Sequence, residues 1–131
     1  MAKVLIIDDD PALRRLLGRV LAGAGHEVIE AADGTIGTQL FRQHQPALVV
    51  TDLIMPNHDG IETIREIRKL APGARIIAIS GGGMGQFPHY LEFARGLGAD
   101  AALAKPFKPE ELLALIDTLL GQFDSLASDR P

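Results

Sequence analysis

At four places in this chain an apolar run stops on a polar group able to do chemistry. Asp8 and Asp9 follow Val4–Ile7, and Asp52 closes the run Leu48, Val49, Val50, Thr51. Ser80 follows Arg75–Ile79, and Lys105 follows Ala101–Ala104. A charge at the end of a buried segment is costly unless something compensates it. Three carboxylates brought together repel, so one of them holds a proton or a cation sits among them. Oxygen-only donors suit a hard ion such as Mg2+, which keeps several waters and uses only one or two carboxylates. A carboxylate, a hydroxyl and an ammonium beside such an ion form a clamp for a phosphoryl group. In that arrangement Asp52 is the nucleophile and forms an acyl phosphate. Ser80, Lys105 and the metal neutralise charge on the equatorial oxygens.

The elements that must position these groups alternate along the chain. Val4–Ile7 is a first buried strand. Asp10 is a good N-cap and Pro11 a good first helical residue for a helix striped by Leu13, Leu16, Leu17, Val20 and Leu21. Gly23 and Gly25 stop it. Glu27–Ala31 is a weaker strand, and Asp33 caps a helix from Gly34 to about His44. Pro46 precedes the central strand, whose apolar, β-branched composition marks it as buried on both faces. Ile61, Ile64, Ile67 and Leu70 mark a third helix, closed by Pro72-Gly73. Arg75–Ile79 is the fourth strand. Gly81, Gly82 and Gly83 then lead to a helix with Tyr90, Leu91, Ala94 and Leu97. Ala101–Ala104 is the fifth strand, and the last helix starts at Pro109 with Glu110 and Glu111 favourably placed against its dipole. After Gly121 the tail is polar and frayed.

Alternating strands and helices predict an α/β fold, a parallel sheet covered on both faces. Right-handed crossovers at this size favour a flavodoxin-like, doubly wound sheet of five strands in the order 2-1-3-4-5, with five helices. Ligands then bind outside the carboxyl ends of the strands, where the order reverses between the first and third. All of the polar strand ends fall on that rim.

Composition narrows the classes. A chain of 131 residues is one domain able to bury roughly two-thirds of its unfolded surface. A formal charge of −4 provides no broad basic face for nucleic acid, and the absence of cysteine removes disulfides and thiolate chemistry. The run from Lys3 to Ile7 is too short for a secretory apolar core, and no later run could span a bilayer. The expected address is the cytoplasm, without membrane attachment.

VLIIDDD, VVTDLIMPNHDG, AIS and AKPF, in that order and each on a strand end, resemble the receiver domains of two-component response regulators. The resemblance covers the fold end to end, as residues 1–121, with 122–131 left as a short tail and no output domain. It implies that Asp52 is the phosphoacceptor and Asp9 a direct metal ligand. Asp8 binds the Mg2+ through water or assists, and the Ile54 carbonyl completes the coordination. Ser80 resembles the switch hydroxyl, with Gly81 beside it in the phosphoryl-binding set. Lys105 resembles the phosphoryl-binding lysine, and Lys105-Pro106 the family's cis peptide. The implied partners are a sensor histidine kinase or histidine phosphotransfer protein, and a downstream protein docked at the face of the fourth helix, fifth strand and fifth helix. The chain is expected to be a monomer or weak dimer. It catalyses only its own phosphorylation and dephosphorylation.

One position departs from the family pattern. The aromatic expected three residues before the lysine is Ala102, so the usual hydroxyl-to-aromatic relay cannot operate. Glycine keeps a loop loose until a contact orders it, and phosphorylation is expected to order Gly81–Gly85 and shift the helix bearing Tyr90. Ile54 and Gly82 offer no polar side chain to the hydrolytic water, which predicts slow self-hydrolysis.

Plainer readings exist for single residues. Asp10 serves as a helix cap, and Asp8-Asp9 alone could be solvated loop acids. Lys105 alone could be a surface lysine and Ser80 a turn residue. His58 is a solvated loop residue, and His26, His44 and His89 lack metal spacing. Gly81–Gly85 lacks the lysine and Ser/Thr of a P-loop. Tyr90 and Phe93 are core or groove residues. Two rival functions remain: a pseudo-receiver that binds partners without phosphorylation, which the intact acceptor set argues against and Ala102 keeps open, and a haloacid-dehalogenase-like phosphatase using Asp8 and Asp10. The latter leaves Asp52 without a role, finds no acidic pair on a strand end after Lys105, and has no room for a cap.

Overall fold

The computed structural model describes residues 2–53, 60–80 and 90–128. Strands β1 (Lys3–Ile7), β2 (Glu27–Ala31), β3 (Leu48–Asp52), β4 (Arg75–Ser80) and β5 (Ala101–Ala104) form one parallel sheet in the order β2-β1-β3-β4-β5. Helices α1 (Pro11–Gly23), α2 (Gly34–His44), α3 (Gly60–Leu70), α4 (Tyr90–Leu97) and α5 (Pro109–Ser128) connect and cover it. The flavodoxin-like order expected from the alternation is the order found.

The side-chain period of two splits the core into two layers. Leu5, Ile7, Val49, Ile76 and Ala78 face one cluster with Phe41 of α2, Ile64 and Ile67 of α3 and Ala94 of α4. Val4, Ile6, Leu48, Val50, Ile77 and Ile79 face the other with Leu17 and Leu21 of α1 and Leu112 and Ile116 of α5. Every residue of β3 is buried, as its two-sided apolar pattern requires.

Helix starts follow their caps. The Asp10 carboxylate accepts from the amides of Ala12 and Leu13 at 3.0 and 3.3 Å, with Pro11 opening α1. Asp33 does the same for Ile36 at 2.8 Å. One end differs from the expected boundary: α5 does not stop at Gly121 but runs on to Ser128. A single interior glycine costs a helix only about 1 kcal/mol, and no proline stands near it to force an end. The strip 122–131 is therefore not wholly a tail.

At the edge opposite the polar strand ends, one arginine holds β4, β5 and α3 in register. Arg68 donates to the carbonyls of Gly98 (2.6 Å), Pro72 (2.8 Å) and Ala74 (2.6 Å) and pairs with Asp100 at 3.1 Å. Asp100 in turn accepts from the Ile76 amide at 2.8 Å. The five donors of a guanidinium suit such a convergence of carbonyls.

Candidate functional site

β1 and β3 are neighbours that send their connections to opposite sides, so a crevice opens at their carboxyl ends. Register alone places the acids there, since Ile7 pairs with Thr51 and the next residues are Asp8 and Asp52. One carboxylate oxygen from each of Asp8, Asp9 and Asp52 lies within 4.8 Å of the others. Asp8 is 1% exposed and Asp52 5%, whereas Asp9 is open to solvent.

From the neighbouring rim, Lys105 reaches into this cluster. Its Nζ lies 2.9 Å from Asp52 Oδ2, with a hydrogen bond, and 3.5 Å from Asp8 Oδ2. The second contact is electrostatic only: Asp8 Oδ2 is buried and has no hydrogen-bond partner. Burial opposes the charge on the lysine, but the Asp52 hydrogen bond and the charges of Asp52 and Asp8 outweigh it and raise the Lys105 pKa above the usual lysine value. The ammonium is thus fully charged at neutral pH.

The β1–α1 turn is tightly held. Asp8 N donates to Ala31 O at 3.1 Å, prolonging the β1–β2 pairing, and Asp8 Oδ1 accepts from the Asp10 amide at 2.9 Å. Burial nevertheless raises the Asp8 pKa above the ordinary carboxylate value. The Asp10 amide and Lys105 pull it back, while Asp52 and Asp9 push it further up. The buried oxygen without a hydrogen bond, beside two more carboxylates, fits a hard divalent ion. Asp8, Asp9 and Asp52 are the side chains that would hold it.

A stability consequence follows for the metal-free protein. Because the folded pKa of Asp8 is raised, folding favours its protonated form, and its contribution to stability falls as pH rises through that pKa. Ionised Asp8 is therefore a cost at neutral pH. Asp8→Asn should stabilise the protein in EDTA at pH 7 by about 1 kcal/mol, within the usual gain from relieving a functional site. Where the cluster takes up a divalent ion, the same variant should lose most of the stabilisation that added Mg2+ would give the wild type. Urea denaturation with and without the ion checks both, and a less stable variant in EDTA would contradict the sign.

Ser80 is fully buried at the end of β4, its hydroxyl 3.4 Å from the Leu103 carbonyl. The Ser80 carbonyl accepts from the Lys105 amide at 2.7 Å, which fixes the start of the lysine's turn against β4. The Lys105-Pro106 peptide is cis. Ala102 is half-buried on β5, packed against the cluster of α2, α3 and α4. The structure thus brings Asp8, Asp9, Asp52 and Lys105 together, with Ser80 on the neighbouring strand end. Ile54, His58, Gly81–Gly85 and His89 lie outside the described residues.

Two contributors were not singled out from the sequence. Gly60 opens α3 hard against β3: its amide donates to Leu53 O at 2.9 Å. A Cβ there would sit 2.7 Å from Leu53 Cα and collide with the Asp52 carbonyl oxygen. Arg14 reaches from α1 to the Asp8 carbonyl at 2.7 Å. An Asp-Gly after the β3 turn was the only available hint of the first, and none pointed to the second.

Comparison with known proteins settles the family. The pattern described as the response regulator receiver domain matches residues 4–117. The chain belongs to the response regulator receiver family. This receiver is 34% identical to a chemotaxis protein CheY of Thermotoga maritima, over 88% of this chain and 94% of that one. It is 37% identical to a DNA-binding dual master transcriptional regulator, RpaA, of Synechocystis, over 96% of this chain and 52% of that protein. It spans about half the length of that and several other curated relatives it matches. Among solved structures, a receiver domain from Clostridium thermocellum superposes with a TM-score of 0.85 at 29% identity, covering 96% of this chain and 99% of that one. Receivers of this family serve as signalling components of two-component systems, and the haloacid-dehalogenase alternative is set aside by the match.

Proposed function

We propose that this receiver accepts a phosphoryl group on Asp52 in a Mg2+-dependent reaction and signals through protein–protein contact. The observation that carries the proposal is the ammonium of Lys105 at 2.9 Å from Asp52, inside a cluster of acids at the switch point of the sheet. A carboxylate oxygen of Asp52 attacks phosphorus, and the bond from phosphorus to the donor's histidine nitrogen breaks. The imidazole leaves with that electron pair and takes up a proton, and a mixed anhydride remains on Asp52. Bound Mg2+ supplies positive charge to the phosphoryl oxygens. Lys105 adds its own positive charge, moving from carboxylate to phosphoryl oxygen as charge builds there. Asp8, Asp9 and Asp52 would hold the ion, with the Ile54 carbonyl as a further donor. Ser80 and the Gly81 amide receive the new group.

The donor is a sensor histidine kinase or histidine phosphotransfer protein, met in the cytoplasm. Among the described residues no helix is long and apolar enough to cross a membrane. The receiver unit is residues 1–121, with α5 carried on into the segment that follows, and the face of α4, β5 and α5 receives the downstream protein. Its only catalysis is its own phosphorylation and slow dephosphorylation. The intact acid set argues against a phosphorylation-independent module, although Ala102 requires that the output switch differ from the usual one.

The test is incubation with acetyl phosphate and Mg2+, read by intact mass. One phosphoryl group should add to the wild type, none in EDTA and none to Asp52→Asn. Equal incorporation into Asp52→Asn and wild type would remove the proposal.

A further inference from the structure

The acids are supported by an ion pair that the phosphoacceptor chemistry does not itself use. Arg14, one turn into α1, donates from Nη1 to the Asp8 carbonyl at 2.7 Å and from Nε to Glu30 Oε1 at 3.2 Å. The Arg14 side chain is 16% exposed and that of Glu30 39%. Glu30 stands on β2 opposite Ile6, two residues before Asp8, so the guanidinium spans the first crossover next to the acid turn. At the acid turn Arg14 contacts the backbone that aims Asp8.

We infer that Arg14 is a positioning residue for the metal-binding acids and that Glu30 holds it in that role. This rests on the reading of Asp8 and Asp9 as metal ligands. By fixing the Asp8 carbonyl, Arg14 holds the turn from which both Asp8 and Asp9 project. Glu30 keeps the cation on that carbonyl and away from the carboxylates, where a guanidinium would compete with a divalent ion for the same oxygens. Partners that orient metal ligands without touching the metal are worth about tenfold or more in affinity.

Charge and positioning make opposite forecasts for Arg14→Met, so that variant separates them. Mg2+ is titrated into isotope-labelled protein and followed by amide chemical shifts, giving a Kd for wild type, Arg14→Met and Glu30→Gln. If only net charge mattered, removing a cation near the acids would tighten Mg2+ and removing an anion would weaken it. Positioning requires both variants to bind about tenfold more weakly. The double variant should be no weaker than Arg14→Met, since Glu30 acts through Arg14. Arg14→Lys keeps the charge without the two-pronged fork and should remain weakened. Arg14→Lys keeps charge and bulk, so if Arg14→Met does not fold the inference is still judged by it: a weakened Kd supports positioning, and a Kd equal to that of wild type overturns it.

An Arg14→Met Kd equal to or below that of wild type, or a Glu30→Gln Kd unchanged from it, overturns the inference. A failure of the underlying reading looks different. Wild type would then show no saturable Mg2+ shift, or one that Asp9→Asn leaves intact, and the inference falls with it.

Discussion

Gly60→Ala should lower the melting temperature by roughly 10 °C, corresponding to about 3 kcal/mol, at the upper end of the cost of overpacking. The new Cβ would meet backbone rather than side chain: the carbonyl of Asp52, and Leu53 Cα at 2.7 Å. Those atoms belong to the end of a fully buried strand whose next amide, Leu53 N, is bonded to Ile79 O at 2.9 Å. Neither side can yield without moving β3 or the first turn of α3. Gly37 is an internal comparison. A Cβ there meets Ile7 Cγ1 at 2.8 Å, the side chain of a residue that can turn, so Gly37→Ala should cost less. Thermal melts followed by circular dichroism rank the two, and a Gly60→Ala melt within 2 °C of wild type, roughly half a kcal/mol, would show that this contact is not the constraint. Because the displaced carbonyl belongs to Asp52 itself, surviving folded protein should also accept phosphoryl groups poorly.

Lys105→Met should be the second large effect, and it should act on stability and chemistry separately. Removing one partner of a buried ion pair costs about 3–5 kcal/mol. Here the lysine side chain is 28% exposed, so solvent screening reduces this to about 2 kcal/mol. Since the lysine's folded pKa is raised, its contribution is complete at neutral pH and is lost only as pH rises through that value. On the acid side, Asp8 carries a raised pKa. Its protonation as pH falls removes one of the charges Lys105 compensates, and the deficit of the variant should shrink. Mg2+ should restore most of the stability at pH 7, because a divalent ion compensates the same acids. It should not restore the rate of phosphoryl uptake from acetyl phosphate, expected to fall about a hundredfold with the loss of one preorganised charge. Denaturation at several pH values and a time course of incorporation check the two halves. A variant as stable as wild type in EDTA, or one that takes up phosphate at the wild-type rate, would contradict the corresponding half.

How legible was this in the chain? The strands were, because each apolar run is short and ends on a change of residue type. The helix starts were too, because Asp10, Pro11 and Asp33 cap locally and need no tertiary context. The gathering of acids followed from topology: once the order 2-1-3-4-5 is granted, β1 and β3 must end side by side. What stayed hidden depends on distant pairings. Arg14 and Glu30 are 16 residues apart and meet only because the crossover from β1 to β2 lays α1 beside β2. Arg68 and Asp100 are 32 apart and meet across the opposite edge. The reason Gly60 must be glycine lies in how closely α3 approaches β3. Helix α5 outran its expected end because a lone glycine is a weak stop.

The central claim is that one carboxylate in this cluster, and no other, receives the phosphoryl group. Treating the acetyl phosphate-modified protein with borohydride reduces an acyl phosphate to the alcohol, and peptide mass spectrometry then locates the reduced residue. Reduction at Asp52 alone is the expected result; reduction at Asp8 or Asp9, or at no aspartate, would contradict it.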